Sequence, residues 1–397
     1  MIRRLLGGEI EPATRPLILA VLIGSTARAV MITFTSIWAI QQLLATDREL
    51  SVAYAVAGVT AALIGYAAGV LADRIGGRNV LLTGWSLQTV VFACFALTGH
   101  NVLFGLFLIV CTTSLATLCA TASQTVVTEL TPSERRTSGF AVLRLGQNLG
   151  YALGPPAGAL LLSFGWPVMF AAVALIAAAA AVTVALRLPT RAEPSTTQRS
   201  NQRAPLRTIL TDTKFVWLYI ASCLAMIVYS AEAVLLPISL TETHGLSPQT
   251  WGLLAVITPV LVITLQLRVV EWLRRVPLPT QVAIAVLLMG GPFLLLPISS
   301  AIIIVAMMMV LYTMGEIIWA PAAQSLVSRH ASADHQGAYL GAFAATLPIG
   351  LSLGPLIGFQ IRAAWGDTAM WLVNGIIAAV AAMMYLCGSS IGFSQRE

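Results

Sequence analysis

Four charged side chains lie inside long apolar runs of this sequence, where ionisable residues are rare. Glu232 and Glu316 are acidic, and Arg28 and Arg144 are basic. A charged side chain costs about 2.5–3.5 kcal/mol at the centre of a membrane helix, so such residues usually face a cavity and serve function. An acid in apolar surroundings can gain and lose a proton near neutral pH, whereas arginine stays charged. The two glutamates are therefore the candidates for proton exchange, and the arginines can modulate them or hold a substrate.

Glu316 has the more informative neighbours of the two acids. Helical spacing places Tyr312, Glu316 and Trp319 on one stripe. An acid between two aromatic rings offers both a proton site and a cation–π surface for a lipophilic cation. Tyr229 precedes Glu232 by three residues and shares its helix face. A structural reading stays open for both acids, as hydrogen-bonding partners of a neighbouring helix.

Polar and aromatic side chains in the same apolar runs are candidates for lining a substrate cavity. They are Arg28, Thr35, Trp38, Thr113, Thr117, Tyr229, Tyr312 and Trp319. For Arg28, a structural role in which it pairs with an acid or with backbone carbonyls is as open as contact with substrate. Arg144 lies about two turns from the end of its apolar run, so its side chain can snorkel to the membrane surface.

The elements that position these residues are membrane helices. The chain is 58% hydrophobic and only 10% charged, with a mean hydropathy of +0.86, which lies outside the range of soluble domains. A bilayer core of about 30 Å takes roughly 20 apolar residues per helix. Runs of that length predict twelve spans, numbered one to twelve, at residues 17–44, 50–72, 78–98, 101–127, 137–163, 166–187, 214–240, 248–270, 279–298, 300–327, 336–361 and 368–390.

Two features divide the sequence into halves. A polar stretch rich in Pro, Ser and Thr predicts a flexible cytoplasmic linker at 189–213, between an N-terminal six-helix half at 1–188 and a C-terminal six-helix half at 214–397. The pattern Gly-x-x-x-Gly-Pro-x-x-Gly occurs at 150–158 and again at 350–358. So long a period indicates a duplicated domain. Duplicated membrane halves with a substrate site at their interface are typical of secondary transporters.

The distribution of charge predicts the orientation in the membrane. Apart from Arg28 and Arg144, every Lys and Arg except Arg48 and Arg362 falls on the predicted face that holds both termini. The positive-inside rule makes that face cytoplasmic. The net charge of +6 therefore reflects topology, and nucleic-acid binding is not expected. Tryptophans near the span ends are expected to anchor the helices in the membrane interfaces: Trp166, Trp217, Trp251, Trp365 and Trp371.

Signatures of enzymes and metal sites are missing from the sequence. It contains no Walker loop, no G-x-S-x-G, no H-E-x-x-H and no His/Cys cluster with metal-ligand spacing, and its five cysteines form no C-x-x-C. We therefore expect no catalytic residues, no metal and no cofactor. Energy for transport would then come from an ion gradient or from the substrate's own gradient, and a proton gradient is the source we expect.

The loop between spans two and three resembles the signature loop of the major facilitator superfamily. The matching residues are Gly69, Asp73, Arg74, Gly76 and Arg78. The resemblance implies that Asp73 and Arg78 join Glu129, at the end of span four, in a charge cluster that stabilises the outward-facing state. Gly69 is expected to let a neighbouring helix approach, and Gly76 to permit a tight turn. The alternative is a charged turn that obeys the positive-inside rule.

The repeated glycine pattern resembles the antiporter motif of the drug-exporting branch of that superfamily. Its residues are Gly150, Gly154, Pro155, Gly158, Gly350, Gly354, Pro355 and Gly358. Small residues at a spacing of four let membrane helices pack backbone to backbone, and proline kinks them. The resemblance implies export, while ordinary helix packing is the alternative reading. The region around Glu316 is similar to span ten of proton-driven multidrug exporters, whereas span four lacks the arginine typical of the family.

These patterns identify an all-α polytopic membrane protein of the major facilitator fold, with twelve transmembrane helices in two pseudo-symmetric six-helix bundles. The resemblance implies proton-coupled efflux of small lipophilic or cationic drugs by rocker-switch alternating access, and a part in antibiotic resistance. The expected partners are a small-molecule substrate, protons and the lipid bilayer of the bacterial cytoplasmic (inner) membrane, and the expected state is a monomer. An exporter of one metabolite, for which the Thr-rich span four is suited, and a non-transporting membrane sensor are the alternatives.

Overall fold

The computed structural model describes residues 14–131, 136–189, 211–331 and 336–390, and within these ranges the regular elements are all helices. Ten helical stretches in them are long and apolar enough to cross a membrane. One of these stretches holds two spans, because Gly366 interrupts it with a φ of 83°. The helix Arg136–Leu162 supplies one more. The structure therefore agrees with the predicted twelve-span, all-α architecture.

Spans one to six are single helices. Their bounds are Arg15–Gln41, Asp47–Ile75, Gly77–Leu97, Val102–Leu130, Arg136–Leu162 and Trp166–Arg187. Asp47–Ile75 is longer than predicted, because Thr46 and Glu49 form a capping box at its start: the backbone N–H of Thr46 donates to Glu49 Oε2 (2.8 Å), and that of Glu49 donates to Thr46 Oγ1 (3.3 Å).

Spans seven to twelve are less regular. Span seven is Thr213–Ile238 followed by a π-helical turn at Ser239–Thr243, and span eight consists of two helices, Pro248–Leu254 and Ile257–Trp272. Span nine is Leu278–Gly290 followed by a 3-10 turn at Gly291–Leu295, and span ten is Ile302–His330. Span eleven is Gln336–Ala344 together with the part of Thr346–Ser390 before Gly366, and span twelve is the part after Gly366.

The helices form two compact units. The first contains residues 14–131, 136–189 and Leu246–Pro259, and the second contains residues 211–245, 260–331 and 336–390. The first helix of span eight, Pro248–Leu254, thus packs in the first unit. There the indole Nε1 of Trp251 donates a hydrogen bond to the carbonyl of Thr33 (3.3 Å). Residues 190–210 of the predicted linker lie outside the described ranges. The boundaries at 189 and 213 stay a prediction.

Large apolar side chains cover the outer surfaces of both units. Tyr66 is 72% exposed and Leu186 is 80% exposed, which is expected where lipid replaces water as the solvent. Among the tryptophans at span ends, Trp365 is 73% exposed and fits an interfacial anchor. The same prediction was wrong for Trp251 and Trp371, which are 2% and 0% exposed. Both indoles reach inward, because their N–H groups find hydrogen-bond acceptors inside a unit.

Candidate functional site

The second unit brings together two acids and two tyrosines that the sequence singled out. Glu232 on span seven and Glu316 on span ten are partly buried and close enough to interact electrostatically. Tyr312 is 1% exposed and donates a hydrogen bond from its hydroxyl to the carbonyl of Tyr229 (3.0 Å). The two tyrosine rings stack with their centroids 6.4 Å apart. The packing of spans seven and ten therefore brings both acids and both rings into one region.

This arrangement suits proton exchange coupled to a cation. Two like charges in a poorly screened interior repel each other, so the net charge of the pair responds to a proton or a cation that arrives. Tyr312 interacts electrostatically with both carboxylates. Phe293, which the sequence analysis did not select, packs against Tyr312 with ring centroids 5.6 Å apart. The site thus combines two acids with an aromatic wall.

Trp319 lies on the same helix as this site but has a different environment. Its ring is buried and stacks on Phe343 of span eleven, with centroids 5.8 Å apart. Its buried indole also interacts with the hydroxyl of Tyr385 on span twelve. Trp319 therefore stabilises the contact between spans ten and eleven, and its predicted part in binding substrate stays a prediction.

Arg28 occupies the interior of the first unit. Its guanidinium carbon lies 5.8 Å from the ring centroid of Tyr151 on span five, and its charge interacts with the thiol of Cys119 on span four. Among the residues that the structure describes, no carboxylate pairs with Arg28, and its buried Nε has no hydrogen-bond partner. The cation–π contact is thus its visible stabilising interaction.

The other predicted cavity residues of the first unit are engaged in packing. Trp38 is buried and meets Phe95 and Phe170 edge to face, with ring centroids 5.0 and 5.2 Å away. The hydroxyls of Thr113 and Thr117 donate to carbonyls one turn earlier in span four, those of Ile109 (3.1 Å) and Thr113 (3.3 Å). Bonds of this kind satisfy a hydroxyl within its own helix.

Thr35 differs from these threonines. Its Oγ1 is buried and finds no hydrogen-bond partner within the described ranges. A contact between substrate and Thr35, Trp38, Thr113 or Thr117 stays a prediction.

The signature loop acts as a set of helix caps. Gly76 joins spans two and three with a φ of 84°, which favours glycine. Glu129 accepts a hydrogen bond from the backbone N–H of Gly77 (3.0 Å) at the start of span three. Arg78 donates to the carbonyls of Ala185 (2.7 Å) and Leu188 (2.8 Å) at the end of span six. Each charge thus complements a helix dipole.

The expected charge cluster is not seen for the members that the structure describes, because Arg78 and Glu129 bind separate helix ends. The side chain of Asp73 lies outside the described residues, and Arg74 is exposed. The close helix approach expected at Gly69 was wrong: no described atom lies within 4 Å of a Cβ added there. Gly65, one turn earlier, makes that approach to span four, because a Cβ added to it would lie 3.0 Å from Thr117 Cγ2.

The glycine motif has the same packing role in both units. In span five, Cβ atoms added to Gly150, Gly154 and Gly158 would overlap span one, at Ser25, Ala29 and Phe34. In span eleven, Cβ atoms added to Gly350, Gly354 and Gly358 would overlap span seven, at Met226, Ser230 and Leu235. Pro155 and Pro355 lie within continuous helix. The repeat therefore lets two helices pack backbone to backbone in each unit.

One charged cluster that the sequence did not predict ties helix ends together in the second unit. At the start of span seven, Asp212 accepts hydrogen bonds from the backbone N–H of Phe215 (3.0 Å), from His330 Nε2 (2.7 Å) and from the hydroxyl of Tyr339 (2.8 Å). The ring of Phe215 also packs edge to face on Tyr339, with centroids 4.6 Å apart. This cluster joins spans seven, ten and eleven.

A second such cluster lies at the opposite ends of spans seven, eleven and twelve. Asp367 accepts from the hydroxyl of Ser239 (2.7 Å) and the indole Nε1 of Trp371 (3.0 Å), and its other oxygen lies 3.4 Å from Arg362 Nε. His244 Nε2 is 3.9 Å from the same carboxylate. The sequence held no signal for either cluster, because each depends on a contact between residues more than 100 positions apart, Asp212 with His330 and Ser239 with Asp367.

The sequence matches one known family over most of its length and is similar to proteins of that kind. The family model of the Major Facilitator Superfamily matches residues 17–355. The chain belongs to this superfamily. It is 25% identical over 326 residues to the multidrug resistance protein MdtH of Salmonella typhimurium, covering 80% of this chain and 79% of that protein. It is 24% identical over 354 residues to a Na(+), Li(+), K(+)/H(+) antiporter of Planococcus maritimus, covering 80% and 82%.

Solved structures of transporters share the fold. A bacterial homologue of the human lysosomal transporter Spinster, in an inward-facing and unoccupied conformation, superposes with a TM-score of 0.78 at 14% identity, over 95% of this chain and 96% of that one. The nucleoside transporter NupG superposes with a TM-score of 0.78 at 12% identity, over 97% and 100%. The protein is therefore a multi-pass membrane transporter of the major facilitator fold.

Proposed function

We propose that this transporter exports lipophilic cations in exchange for protons, with Glu316 as the main proton-carrying group and Glu232 as its partner. The observation that carries the proposal is the proximity of the two carboxylates beside the stacked rings of Tyr229 and Tyr312. A proton taken up from outside would weaken the attraction of the pair for a bound cation and release it. Loss of that proton to the cytoplasm would reset the cycle of alternating access.

The similar proteins support this proposal in two ways. One relative is named a multidrug resistance protein and another an antiporter that exchanges metal cations for protons. A carboxylate inside the membrane can bind either a proton or a cation, as exchange of the two requires. The concentration of Lys and Arg on one predicted face of the membrane further supports an inner-membrane location with cytoplasmic termini.

Proton release on cation binding tests the proposal. The purified protein in weakly buffered detergent receives tetraphenylphosphonium, and a pH indicator reports the protons released. We expect release by the wild type, none by Glu316→Gln and less by Glu232→Gln. Glu271→Gln is the matched control, because Glu271 is exposed and its ion pair is with Arg274, one turn away on the surface (3.1 Å). Release that persists in Glu316→Gln would contradict the assignment.

Exchange of small metal cations for protons is the second candidate, favoured by the antiporter from Planococcus maritimus. Carboxylate oxygens are suitable ligands for hard cations. The same assay with sodium, lithium or potassium chloride separates the two candidates. Release by these salts, with no response to tetraphenylphosphonium, would favour metal exchange. Release by one neutral metabolite alone would favour a dedicated exporter, and the acids would then be structural.

A further inference from the structure

Some buried hydrogen-bonding groups of the first unit have no partner among the described residues. Arg28 Nε, Trp85 Nε1 and both amide atoms of Gln88 are buried and unpartnered among the described residues. Leaving such groups unsatisfied costs free energy, so each one in a native structure calls for an explanation. The sequence had singled out Arg28 but neither Trp85 nor Gln88, since span three reads as an ordinary apolar helix.

Trp85 lies against the same face of span one as Arg28. A Cβ added to Gly24 would overlap the Trp85 ring and would lie 2.7 Å from its Cε2, the carbon bonded to Nε1. Gly24 is one helical turn before Arg28. The Trp85 ring therefore packs against span one, one helical turn before the position of Arg28.

Gln88 belongs to the same region of span three. It follows Gly84 by one turn, and a Cβ added to Gly84 would meet Cys119 Sγ at 2.7 Å. Cys119 is the residue whose thiol interacts with the charge of Arg28. Spans one, three and four thus meet at Gly24, Gly84 and Cys119, with Arg28 as the partly exposed member of the set.

The chemistry of this set selects a negatively charged acceptor. Arginine and the indole supply only donors, and the amide of Gln88 can supply two more. No described acid neutralises Arg28, and the ring of Tyr151 holds one side of the guanidinium while its N–H groups stay free to bind. Donors of this kind bind carboxylates through charge-assisted hydrogen bonds.

We propose that Arg28, supported by Trp85 and Gln88, is a subsite for the carboxylate of a zwitterionic, lipophilic substrate. The inference rests on the proposed export of lipophilic cations and narrows its substrate class to compounds that also carry an acid.

A matched pair of dyes tests the inference. Rhodamine B carries a cationic xanthene and a free carboxylate, and its ethyl ester keeps the cation but lacks the acid. Fluorescence anisotropy gives the affinity of the purified full-length protein for each. We expect Arg28→Gln to weaken binding of rhodamine B by about tenfold or more, as for loss of a charge-assisted hydrogen bond, and binding of the ester by less than about threefold.

Two further variants sharpen the comparison. Arg187→Gln is the matched control, because Arg187 is an exposed arginine at the end of span six in the same unit, and it should change neither affinity. If Arg28→Gln does not yield monodisperse protein, Gln88→Leu gives the same comparison, since it removes the amide at similar volume. It should weaken rhodamine B more than the ester.

The outcomes separate this inference from the proposed function. Equal losses for both dyes in Arg28→Gln, or equal binding of both dyes by the wild type with no effect of either variant, would overturn the carboxylate subsite. Binding of the ester with proton release would still support cation export in that case. Carboxylate-selective binding without any proton release would keep the subsite and overturn the proposed coupling.

Discussion

At the scale of single residues, the identity of the two interior acids could be predicted from the sequence, but their proximity to each other could not. An isolated Glu in an apolar run is conspicuous in any sequence, so Glu232 and Glu316 could be selected from their surroundings alone. That they lie near each other depends on how spans seven and ten pack. The hydrogen bond from Tyr312 to the carbonyl of Tyr229 joins residues 83 apart, and no local pattern encodes it.

The Asp212 cluster predicts an acid-sensitive contribution to stability. Burial raises the pKa of Asp212, but hydrogen bonds from Phe215, His330 and Tyr339 and the charge of His330 lower it more, so the net pKa falls below its ordinary value of 3.8. The folded protein therefore holds the charged form better than the unfolded chain. This stabilisation is fully present above the ordinary pKa and is lost as the pH falls through the lower value of the folded state.

The gap in melting temperature between wild type and Asp212→Asn measures this contribution. We expect a constant gap from neutral pH to about pH 4, and a shrinking gap below it, by differential scanning fluorimetry in detergent. Glu271→Gln is the control and should leave a small gap at every pH, because exposed ion pairs contribute little. A gap for Asp212→Asn that is unchanged at the acid end would show that its hydrogen bonds do not depend on charge.

At the scale of helices, the glycine motif is a packing device with a testable position dependence. A Cβ at Gly354 would overlap Ser230 of span seven, whereas a Cβ at Gly341 of the same span meets no described atom within 4 Å. Overpacking costs roughly 1–3 kcal/mol, and replacing an unconstrained helical glycine by alanine stabilises by roughly 0.5–1 kcal/mol.

We therefore expect Gly354→Ala to lower the melting temperature and Gly341→Ala to leave it unchanged or raise it. Equal effects of the two substitutions would contradict backbone-to-backbone packing at Gly354. Gly154→Ala in span five should repeat the loss, because its added Cβ would overlap Ala29 of span one. The repeat in the sequence would then correspond to a repeat in energetics.

The signature loop shows how an element can carry a motif for a local reason. Glu129 and Arg78 bind the ends of spans three and six, where the helix dipoles favour their charges. The resemblance to the family assigned both residues to one cluster. Hydrogen bonding to exposed backbone groups satisfies the same charges without a direct ion pair.

At the scale of the whole molecule, the apolar surface and the one-sided basic residues predict how the chain sits in the membrane. Both termini should be cytoplasmic, and the loop around Gly99 between spans three and four should face outward. Green fluorescent protein fused after residue 397 should fluoresce. Alkaline phosphatase fused after Gly99 should be active, because it folds only outside the cytoplasm.

The reciprocal fusions are the controls for this topology. Alkaline phosphatase fused after residue 397 should show no enzyme activity, and green fluorescent protein fused after Gly99 should not fluoresce. Activity in the reverse pattern would overturn the orientation and, with it, the direction of the proposed export.

The sequence alone determined the number of helices, the fold class and the superfamily, because the length of an apolar run and a glycine spacing are properties of neighbouring residues. The tertiary structure alone decided which residues meet. It buried Trp251 and Trp371, which had looked like surface anchors, and it left Arg28 without an acid partner among the described residues. Such outcomes depend on contacts between helices far apart in the chain, which no local pattern contains.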